Sequence, residues 1–222
     1  MAGPHQDQPL VTAGAPLSVA DAAAVLVHGR GGTAEGIVAL ADEFYRHGLA
    51  LVAPQAHRNR WYPGSFRAPV VSNEPGFSSA LDAVGDAVET VAAAGVPADR
   101  TLLLGVSQGA CVLSEFVARA PRPRGGVVLS SGGLMGPDVG EYGGSLDATP
   151  VLVCGHEGDD RVPVERLRET AVVFAALDGD VTERIHEGDG HGFTDGDLAA
   201  VDVLVADLIG GAGGRFAGDS PE

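Results

Sequence analysis

Short apolar runs alternate along the chain with longer amphipathic segments. Six of these runs are predicted strands, at 23–27, 49–53, 101–106, 126–129, 150–154 and, with a weaker pattern, 181–185. Several are continuous in Val and Leu, which is typical of strands that are covered on both faces. The segment 10–17, which Gly14 and Pro16 interrupt, predicts an edge strand or a hairpin.

Helical periodicity occupies the segments between these strands. One predicted helix carries its apolar face at Ile37, Leu40, Ala41, Phe44 and Tyr45, and a second at Phe77, Leu81, Val84, Val88 and Val91. Three further helices are predicted over 107–119, 164–177 and 197–208. The alternation predicts an α/β protein with a mostly parallel central sheet and helices on both faces. The Gly-rich segment 210–222 is predicted to be a flexible tail.

The longest segment without a regular pattern is 54–76, which contains Trp61, Tyr62 and Phe66. A loop of this length inside a compact domain is usually functional. We expect these three aromatic residues to wall a substrate pocket. Plain core packing is the alternative, because a lone Trp is usually largely buried.

The length of 222 residues is that of one domain, 1–222, and leaves no insertion for a lid domain. No apolar run approaches the roughly 20 residues that span a bilayer. The N-terminus lacks the basic and apolar regions of a signal peptide. We therefore expect a cytoplasmic protein without stable membrane insertion, in which Cys111 and Cys154 are small buried residues rather than a disulfide.

The chain is strongly acidic, with a formal net charge of −16. All 14 basic residues are Arg. A negative surface repels phosphate backbones, so we expect no nucleic-acid partner. Excess carboxylates without Lys are typical of halophilic surfaces, but a GC-rich genome would also remove Lys. The sequence leaves this choice open, as it does the oligomeric state, including a homodimer.

The strongest chemical signal is Gly105-Val106-Ser107-Gln108-Gly109, a G-x-S-x-G sequence between a predicted strand and a predicted helix. A serine in that context lies in a tight, strained turn, and the flanking glycines relieve the crowding. The turn exposes the serine oxygen and places the amide of Gln108 at a helix N-terminus, where it can stabilise an oxyanion. Ser107 is therefore the candidate nucleophile. The alternative is an incidental Gly-rich turn.

A second Gly-rich loop, His28-Gly29-Arg30-Gly31-Gly32, directly follows the first buried strand. Acyl transfer needs a second amide donor for the oxyanion, and such a loop can provide it. We assign this donor to the Arg30 amide and give His28 a structural role in shaping the loop. Phosphate binding is disfavoured, because the loop has no Walker lysine and no G-x-G-x-x-G spacing.

His191 lies in a Gly-rich loop after the last predicted strand and can reach back over the sheet to the serine. There it would act as base toward Ser107 and then as acid toward the leaving alcohol. The acid of the triad is expected in the loop after strand 150–154, where Asp159 is the carboxylate nearer the strand end. The chain order Ser107, Asp159, His191 is the one that this type of fold requires.

These segments together resemble the phospholipase/carboxylesterase family, which includes acyl-protein thioesterases and small bacterial carboxylesterases. The matching pieces span nearly the whole chain: 28–32, 53–56, 61–63, 105–109, 159–163 and 190–192. Gln108 after the nucleophile is a fairly specific marker of this group. Asp159 also has the family's D-x-x-V-P spacing to Val162-Pro163, which favours it over Asp160.

The resemblance implies an α/β-hydrolase fold and esterase or lysophospholipase-like activity on small to medium acyl groups, without cofactor. It implies catalytic Ser107, Asp159 and His191, with oxyanion amides from Arg30 and Gln108. Eukaryotic thioesterases usually carry an apolar residue where this chain has Arg30. That departure weakens any transfer of their lipidated-protein substrates to this chain.

The leading hypothesis is a serine carboxylesterase that acts on small-molecule esters through an acyl-enzyme, with no metal. A thioesterase or lysophospholipase would use the same residues. A dienelactone-type hydrolase is disfavoured, because the turn holds Ser rather than Cys. A catalytically silent ligand receptor and a metal hydrolase using His156, Asp159 and His191 are the more distant alternatives.

Overall fold

Seven strands form one central sheet in the computed structural model, which describes residues 3–211 and Phe216. The strands are β1 (Leu10–Gly14), β2 (Ala22–Val27), β3 (Leu49–Pro54), β4 (Thr101–Val106), β5 (Gly126–Ser130), β6 (Pro150–His156) and β7 (Asp180–His186). Their order is β1-β3-β2-β4-β5-β6-β7. Every neighbouring pair is parallel except β1 with β3, which confirms the mostly parallel sheet and the predicted edge strand.

Five α-helices cover the two faces of this sheet. They are α1 (Ala34–Leu40), α2 (Gly76–Ala93), α3 (Gln108–Arg119), α4 (Val164–Ala176) and α5 (Asp195–Gly210). Helices α2, α3 and α4 contribute to the apolar cluster on one face, and α1 and α5 to the cluster on the other. The fold class is therefore as predicted, and none of these five helices forms a lid domain.

Burial on both faces explains the composition of the central strands. Strands β2 and β3 consist of Ala, Val and Leu with one Pro, and each of their residues is buried. Successive residues of β2 belong alternately to the two apolar clusters, as the two-residue period of a strand requires. A continuous apolar run is thus the signature of a strand covered on both sides.

The first helix is shorter than its apolar spacing predicts. It ends at Leu40, and a 3₁₀ turn, Ala41–Glu43, follows. Phe44 is buried, but Tyr45 is 41% exposed and does not continue the apolar face. The chain must reverse within a few residues to enter β3, and Gly48 makes this turn with φ +97°.

Three residues of the predicted tail lie among the described residues. Gly210 belongs to α5, which Gly211 ends in the left-handed conformation with φ +72°. Phe216 is buried in the apolar cluster beneath α1 and α5. The rest of that prediction, residues 212–215 and 217–222, lies outside the described residues. In the described part of the chain, no helix has the length and apolar character to cross a membrane.

The carboxyl ends of the parallel strands meet at one edge of the sheet, where the connecting loops lie together. Two of these loops are long: 55–75, as predicted, and 131–149, which the apolar pattern did not single out. Two buried charged side chains anchor the second loop. Glu115 accepts from the amide of Met135 at 2.9 Å and from the Tyr142 hydroxyl at 3.0 Å, and Arg166 donates to the Leu134 carbonyl at 2.6 Å.

Candidate active site

Ser107 occupies a strained turn between β4 and α3. Its backbone has φ +54° and ψ −120°, a conformation that non-glycine residues rarely adopt. Glycines permit the turn by close approach: a Cβ at Gly109 would collide with the Val27 carbonyl oxygen, and one at Gly105 would lie 2.8 Å from the Ala110 nitrogen. The G-x-S-x-G spacing thus has a steric cause, and the turn presents the Ser107 side chain at the sheet edge.

His191 bridges Ser107 and Asp159. Its Nδ1 lies 2.7 Å from Asp159 Oδ2, and its Nε2 lies 2.8 Å from Ser107 Oγ. Since a carboxylate can only accept, Nδ1 carries the hydrogen, and neutral Nε2 accepts the hydroxyl proton of Ser107. Residues from three separate loops therefore form one continuous hydrogen-bonded chain, with His191 between Ser107 and Asp159.

Asp159 is held as a buried carboxylate. Its Oδ1 accepts from the amides of Arg161 at 2.9 Å and Val162 at 3.2 Å, while Oδ2 faces His191. Burial raises the pKa of this carboxyl, but the hydrogen bonds from His191 and the two amides together hold it below the usual value. The neighbouring Asp160 side chain is 92% exposed and lies 4.0 Å from Arg161, away from the histidine.

The loop that carries His191 is fixed from two sides. The Ser131 hydroxyl oxygen accepts a hydrogen bond from the Gly192 amide at 2.8 Å. Ser131 itself has a backbone φ of +48°. On the other side Thr194 and Asp197 form a capping box at the start of α5. Ser131 was missed by sequence reasoning. It follows β5 directly, and the Ser130-Ser131-Gly132-Gly133 run at that strand end is the signal that could have identified it.

The two amides predicted as oxyanion donors belong to residues that adjoin Ser107. Gly29 approaches so closely that a Cβ there would lie 3.3 Å from Ser107 Cβ, which brings the next residue, Arg30, to the same site. The Gln108 amide begins α3. Within residues 3–211, neither the Arg30 nor the Gln108 amide donates to another group. The two predicted donors therefore lie on the two loops that flank the nucleophile.

The side chains of the same two residues pin the loop 55–75. Gln108 Oε1 accepts from the Trp61 amide at 2.9 Å, and its Nε2 donates to the Tyr62 carbonyl at 2.9 Å. Arg30 Nη2 donates to the carbonyls of Tyr62 and Gly64, both at 2.9 Å. The Gln108 side chain thus positions the wall of the cavity next to Ser107.

A cavity of about 370 Å³ opens at Ser107. It is lined by Arg30, Tyr62, Gly64, Ser65, Phe66, Arg67, Ser107, Gln108, Cys111, Arg161 and Val162. Tyr62 and Phe66 line it as expected. Burial raises the pKa of the Cys111 thiol, which disfavours a thiolate at this position in the cavity.

Trp61 does not line the cavity, contrary to expectation. It is fully buried, and its Nε1 donates to the His28 carbonyl at 2.7 Å. The rings of His5 and His28 pack against it at centroid distances of 5.3 and 5.0 Å. An indole with a buried N–H needs an acceptor, and a strand-end carbonyl provides one behind the pocket wall. Trp61 therefore supports the wall rather than contacting a ligand.

His28 has the structural position assigned to it. Its Nε2 accepts from the Ala56 amide at 3.2 Å, so the hydrogen is on Nδ1, which donates to the Gly29 carbonyl at 2.8 Å. These bonds shape the loop that brings Arg30 to Ser107. In the described part of the chain, no three His, Cys, Asp or Glu side chains are grouped so that they could hold a metal ion.

The sheet order, the strained serine turn and the site at the carboxyl ends of the strands define an α/β-hydrolase fold. The phospholipase/carboxylesterase family model matches residues 13–206, and the chain belongs to this family. A phospholipase/carboxylesterase from Dyadobacter fermentans is 35% identical, with a TM-score of 0.86, over 90% of this chain and 97% of that one. The resemblance stated from the motifs is thereby confirmed.

More distant structures share the fold. Esterase PE8 is 24% identical with a TM-score of 0.71, over 90% of this chain and 98% of that one. A Bacillus cereus carboxylesterase is 16% identical with a TM-score of 0.74, over 91% and 95%. No curated protein matches the chain. Family membership and the esterase relatives support hydrolase activity.

Proposed function

We propose that the protein is a serine carboxylesterase that hydrolyses small to medium carboxylic esters through an acyl-enzyme. The observation that carries this proposal is the 2.8 Å contact between His191 Nε2 and Ser107 Oγ, with Asp159 on the opposite ring nitrogen. This arrangement fits a nucleophile, a general base and a carboxylate that orients the base.

Acylation would start when His191 Nε2 takes the Ser107 proton as Oγ attacks the ester carbonyl carbon. The carbonyl oxygen becomes an oxyanion, which the amides of Arg30 and Gln108 would stabilise by hydrogen bonds. Collapse of the tetrahedral intermediate breaks the bond to the alcohol oxygen, and His191 gives that oxygen its proton. The acyl group stays on Ser107 as an ester.

Deacylation would repeat these steps with water as the nucleophile. His191 takes a proton from the water as its oxygen attacks the acyl carbon, and then returns the proton to Ser107 Oγ. The carboxylate of Asp159 stabilises the imidazolium in both halves of the reaction. Its lowered pKa keeps it ionised at neutral pH, as this task requires.

The cavity supports small substrates. Its volume of about 370 Å³ lies near the lower end of the range for small-molecule pockets. Tyr62 and Phe66 give it an apolar wall, on which a short acyl chain can pack. We therefore expect the specificity constant kcat/KM to fall for acyl chains longer than the cavity can hold.

The test is hydrolysis of 4-nitrophenyl esters from acetate to decanoate, with matched acyl-thiols alongside. Ser107→Ala should lower kcat by about 10⁴-fold or more. Ser114→Ala is the matched control, because Ser114 is buried in helix α3, which follows Ser107, and its hydroxyl donates to the Cys111 carbonyl. Wild-type protein that hydrolyses none of the esters, or full activity in Ser107→Ala, would contradict the proposal.

A further inference from the structure

The positive charge at the candidate active site runs against the charge of the molecule. The chain carries a formal net charge of −16, with 30 acidic and 14 basic residues. Yet three of the eleven residues that line the cavity at Ser107 are arginines, Arg30, Arg67 and Arg161, and none of the eleven is Asp or Glu. The lining of the cavity at Ser107 is therefore cationic, although the chain as a whole is acidic.

These arginines come from three different loops. Arg30 follows β2, Arg67 lies in the loop 55–75, and Arg161 follows β6. They share one cavity only because the carboxyl ends of the strands meet there. The fold therefore brings together three arginines that are far apart in sequence.

Two of these arginines, Arg30 and Arg67, have no carboxylate partner within the described part of the chain. Arg30 Nη2 donates to backbone carbonyls, which are uncharged acceptors, and its guanidinium lies 6.0 Å from the centre of the Tyr62 ring. The Arg67 side chain makes no ion pair or hydrogen bond with the described residues.

Arg161 has only a weak partner. Its Nε lies 4.0 Å from Asp160, and the two side chains are 71% and 92% exposed. A pair that is so exposed contributes little, and water screens it. The Asp159 carboxylate nearby is already engaged by His191 and two backbone amides. Arg161 can therefore bind a ligand without giving up a strong contact.

Guanidinium groups bind carboxylates and phosphates through paired hydrogen bonds of fixed geometry. A positive patch inside a cleft also attracts anions that the remaining surface repels. Three cationic side chains would not strengthen the binding of an apolar ester, for which a neutral pocket would be sufficient. The lining thus indicates a ligand that carries negative charge.

We propose that the substrates of this site are esters that bear an anionic group, a carboxylate above all, a few atoms from the scissile carbonyl. The inference rests on the proposed esterase function and names its substrate class. Arg67 and Arg161 bind the anionic group, while the Arg30 guanidinium holds the loop at 62–64 and adds its charge. The proposal covers attachment of this group on the acyl side and on the alcohol side of the ester.

Matched ester pairs separate these two sides. On the acyl side, mono-4-nitrophenyl adipate is compared with its methyl ester, which has the same chain without the charge. On the alcohol side, 4-acetoxybenzoate is compared with methyl 4-acetoxybenzoate. The measured quantity is the ratio of kcat/KM for the anionic ester to that for the neutral one, after correction for spontaneous hydrolysis. We expect a ratio of about 10 or more in one of the two pairs at low ionic strength.

Two variants test whether the arginines cause this preference. Arg67→Gln and Arg161→Gln should each lower the ratio about three- to tenfold, and molar salt should lower it in the wild type. Both side chains are exposed, so the substitutions leave the core intact. Arg122→Gln is the matched control, because Arg122 is exposed and precedes β5, at the opposite edge of the sheet.

The outcomes are distinct. A wild type that prefers the neutral ester in both pairs, or a ratio that is the same in both cavity variants as in the wild type, overturns the anionic substrate class while the esterase function stands. Hydrolysis of neither member of either pair overturns the proposed function, and the substrate class with it.

Discussion

His186 and His191 lie five residues apart in sequence and each pairs with a carboxylate, but among the described residues only His191 also contacts a serine. His191 bonds Asp159 through Nδ1 at 2.7 Å, which leaves Nε2 to face Ser107. His186 instead bonds Asp197 through Nε2, at 2.9 and 3.0 Å to its two oxygens. The two pairs therefore differ in the ring nitrogen that meets the carboxylate and in the presence of a serine hydroxyl at the other nitrogen of His191.

The two carboxylates are also held for different purposes. Asp159 accepts hydrogen bonds from two backbone amides of its own loop and contacts His191 at the open cavity. Asp197 is fully buried, accepts the Thr194 amide at 3.0 Å and caps α5. The same pair of residue types thus lies at the candidate active site in one place and at the start of a helix in the other. The following predictions test that contrast.

The largest effect is expected at Asp159. Asp159→Asn removes the charge that fixes the His191 tautomer and stabilises the imidazolium, so kcat for 4-nitrophenyl acetate should fall by up to about 10⁴-fold. Asp160→Asn is the matched control and should keep near-normal turnover, because Asp160 is exposed and faces only Arg161. The assignment is wrong by one residue if the two variants behave the other way round.

Asp197→Asn should act on stability and spare catalysis. It weakens a buried charge-assisted network and the cap of α5, so we expect the free energy of unfolding to fall by about 2 kcal/mol. Urea unfolding measures this change, and kcat at 25 °C should stay within about tenfold of the wild type. A loss of turnover as large as in Asp159→Asn, without a loss of stability, would show that the two pairs are not functionally different.

Ser131 tests how the His191 loop is positioned. Ser131→Ala and Ser131→Gly both remove the acceptor for the Gly192 amide, so each should lower kcat about tenfold with little change in KM. Ser131→Gly should be the more stable of the two, because glycine adopts φ +48° without strain. Ser130→Ala is the control, since the Ser130 hydroxyl has no hydrogen-bond partner among the described residues. Equal kcat values in all three variants would show that the Ser131 hydroxyl does not position the His191 loop.

The smallest expected effect is a change of stability with pH that comes from His5 and His28, whose rings form hydrogen bonds with backbone groups. His5 accepts the His57 amide at 3.0 Å and donates to the Trp61 carbonyl at 2.8 Å, so it is neutral, as His28 is. Burial lowers the pKa of both, and their bonds to carbonyls offset this only in part. The unfolded chain then takes up protons first as the pH falls, so stability is full above about pH 6.5 and declines below it.

Thermal unfolding at pH 7.5 and pH 5.5 measures this decline, which we expect to be about 1 kcal/mol. Asp159 does not contribute in this range. Its lowered pKa adds stability that is lost only as the pH falls below about 3.9. A melting temperature that rises between pH 7.5 and pH 5.5 would contradict the neutral state of these two histidines.

Sequence reasoning reached the strands and the candidate triad for one physical reason: buried parallel strands are continuous apolar runs, and their ends carry the reactive residues. Ser107 and Asp159 each follow such a run, whereas His191 follows β7, whose residues are mixed polar and apolar and are not fully buried. Choosing Asp159 over Asp160 needed only the distance from the strand end and a family spacing. These features are local, so the sequence displays them.

Features that depend on packing between distant segments were not accessible in this way. Trp61 lies behind the pocket wall because His5 and His28, from two other segments, surround it. Ser131 meets Gly192 across 61 positions of sequence. The loop 131–149 is held by charged side chains of α3 and α4, and no periodic pattern reports such contacts.

The central claim is that Ser107 is the nucleophile and that the Asp159–His191 pair activates it. Brief exposure to a fluorophosphonate, followed by intact mass measurement and peptide mapping, tests it most directly. The account predicts one adduct, on the Ser107 peptide, formed rapidly in the wild type and in Asp160→Asn and far more slowly in Asp159→Asn. It predicts none in Ser107→Ala. An adduct on another serine, or equal labelling of Asp159→Asn and the wild type, would contradict it.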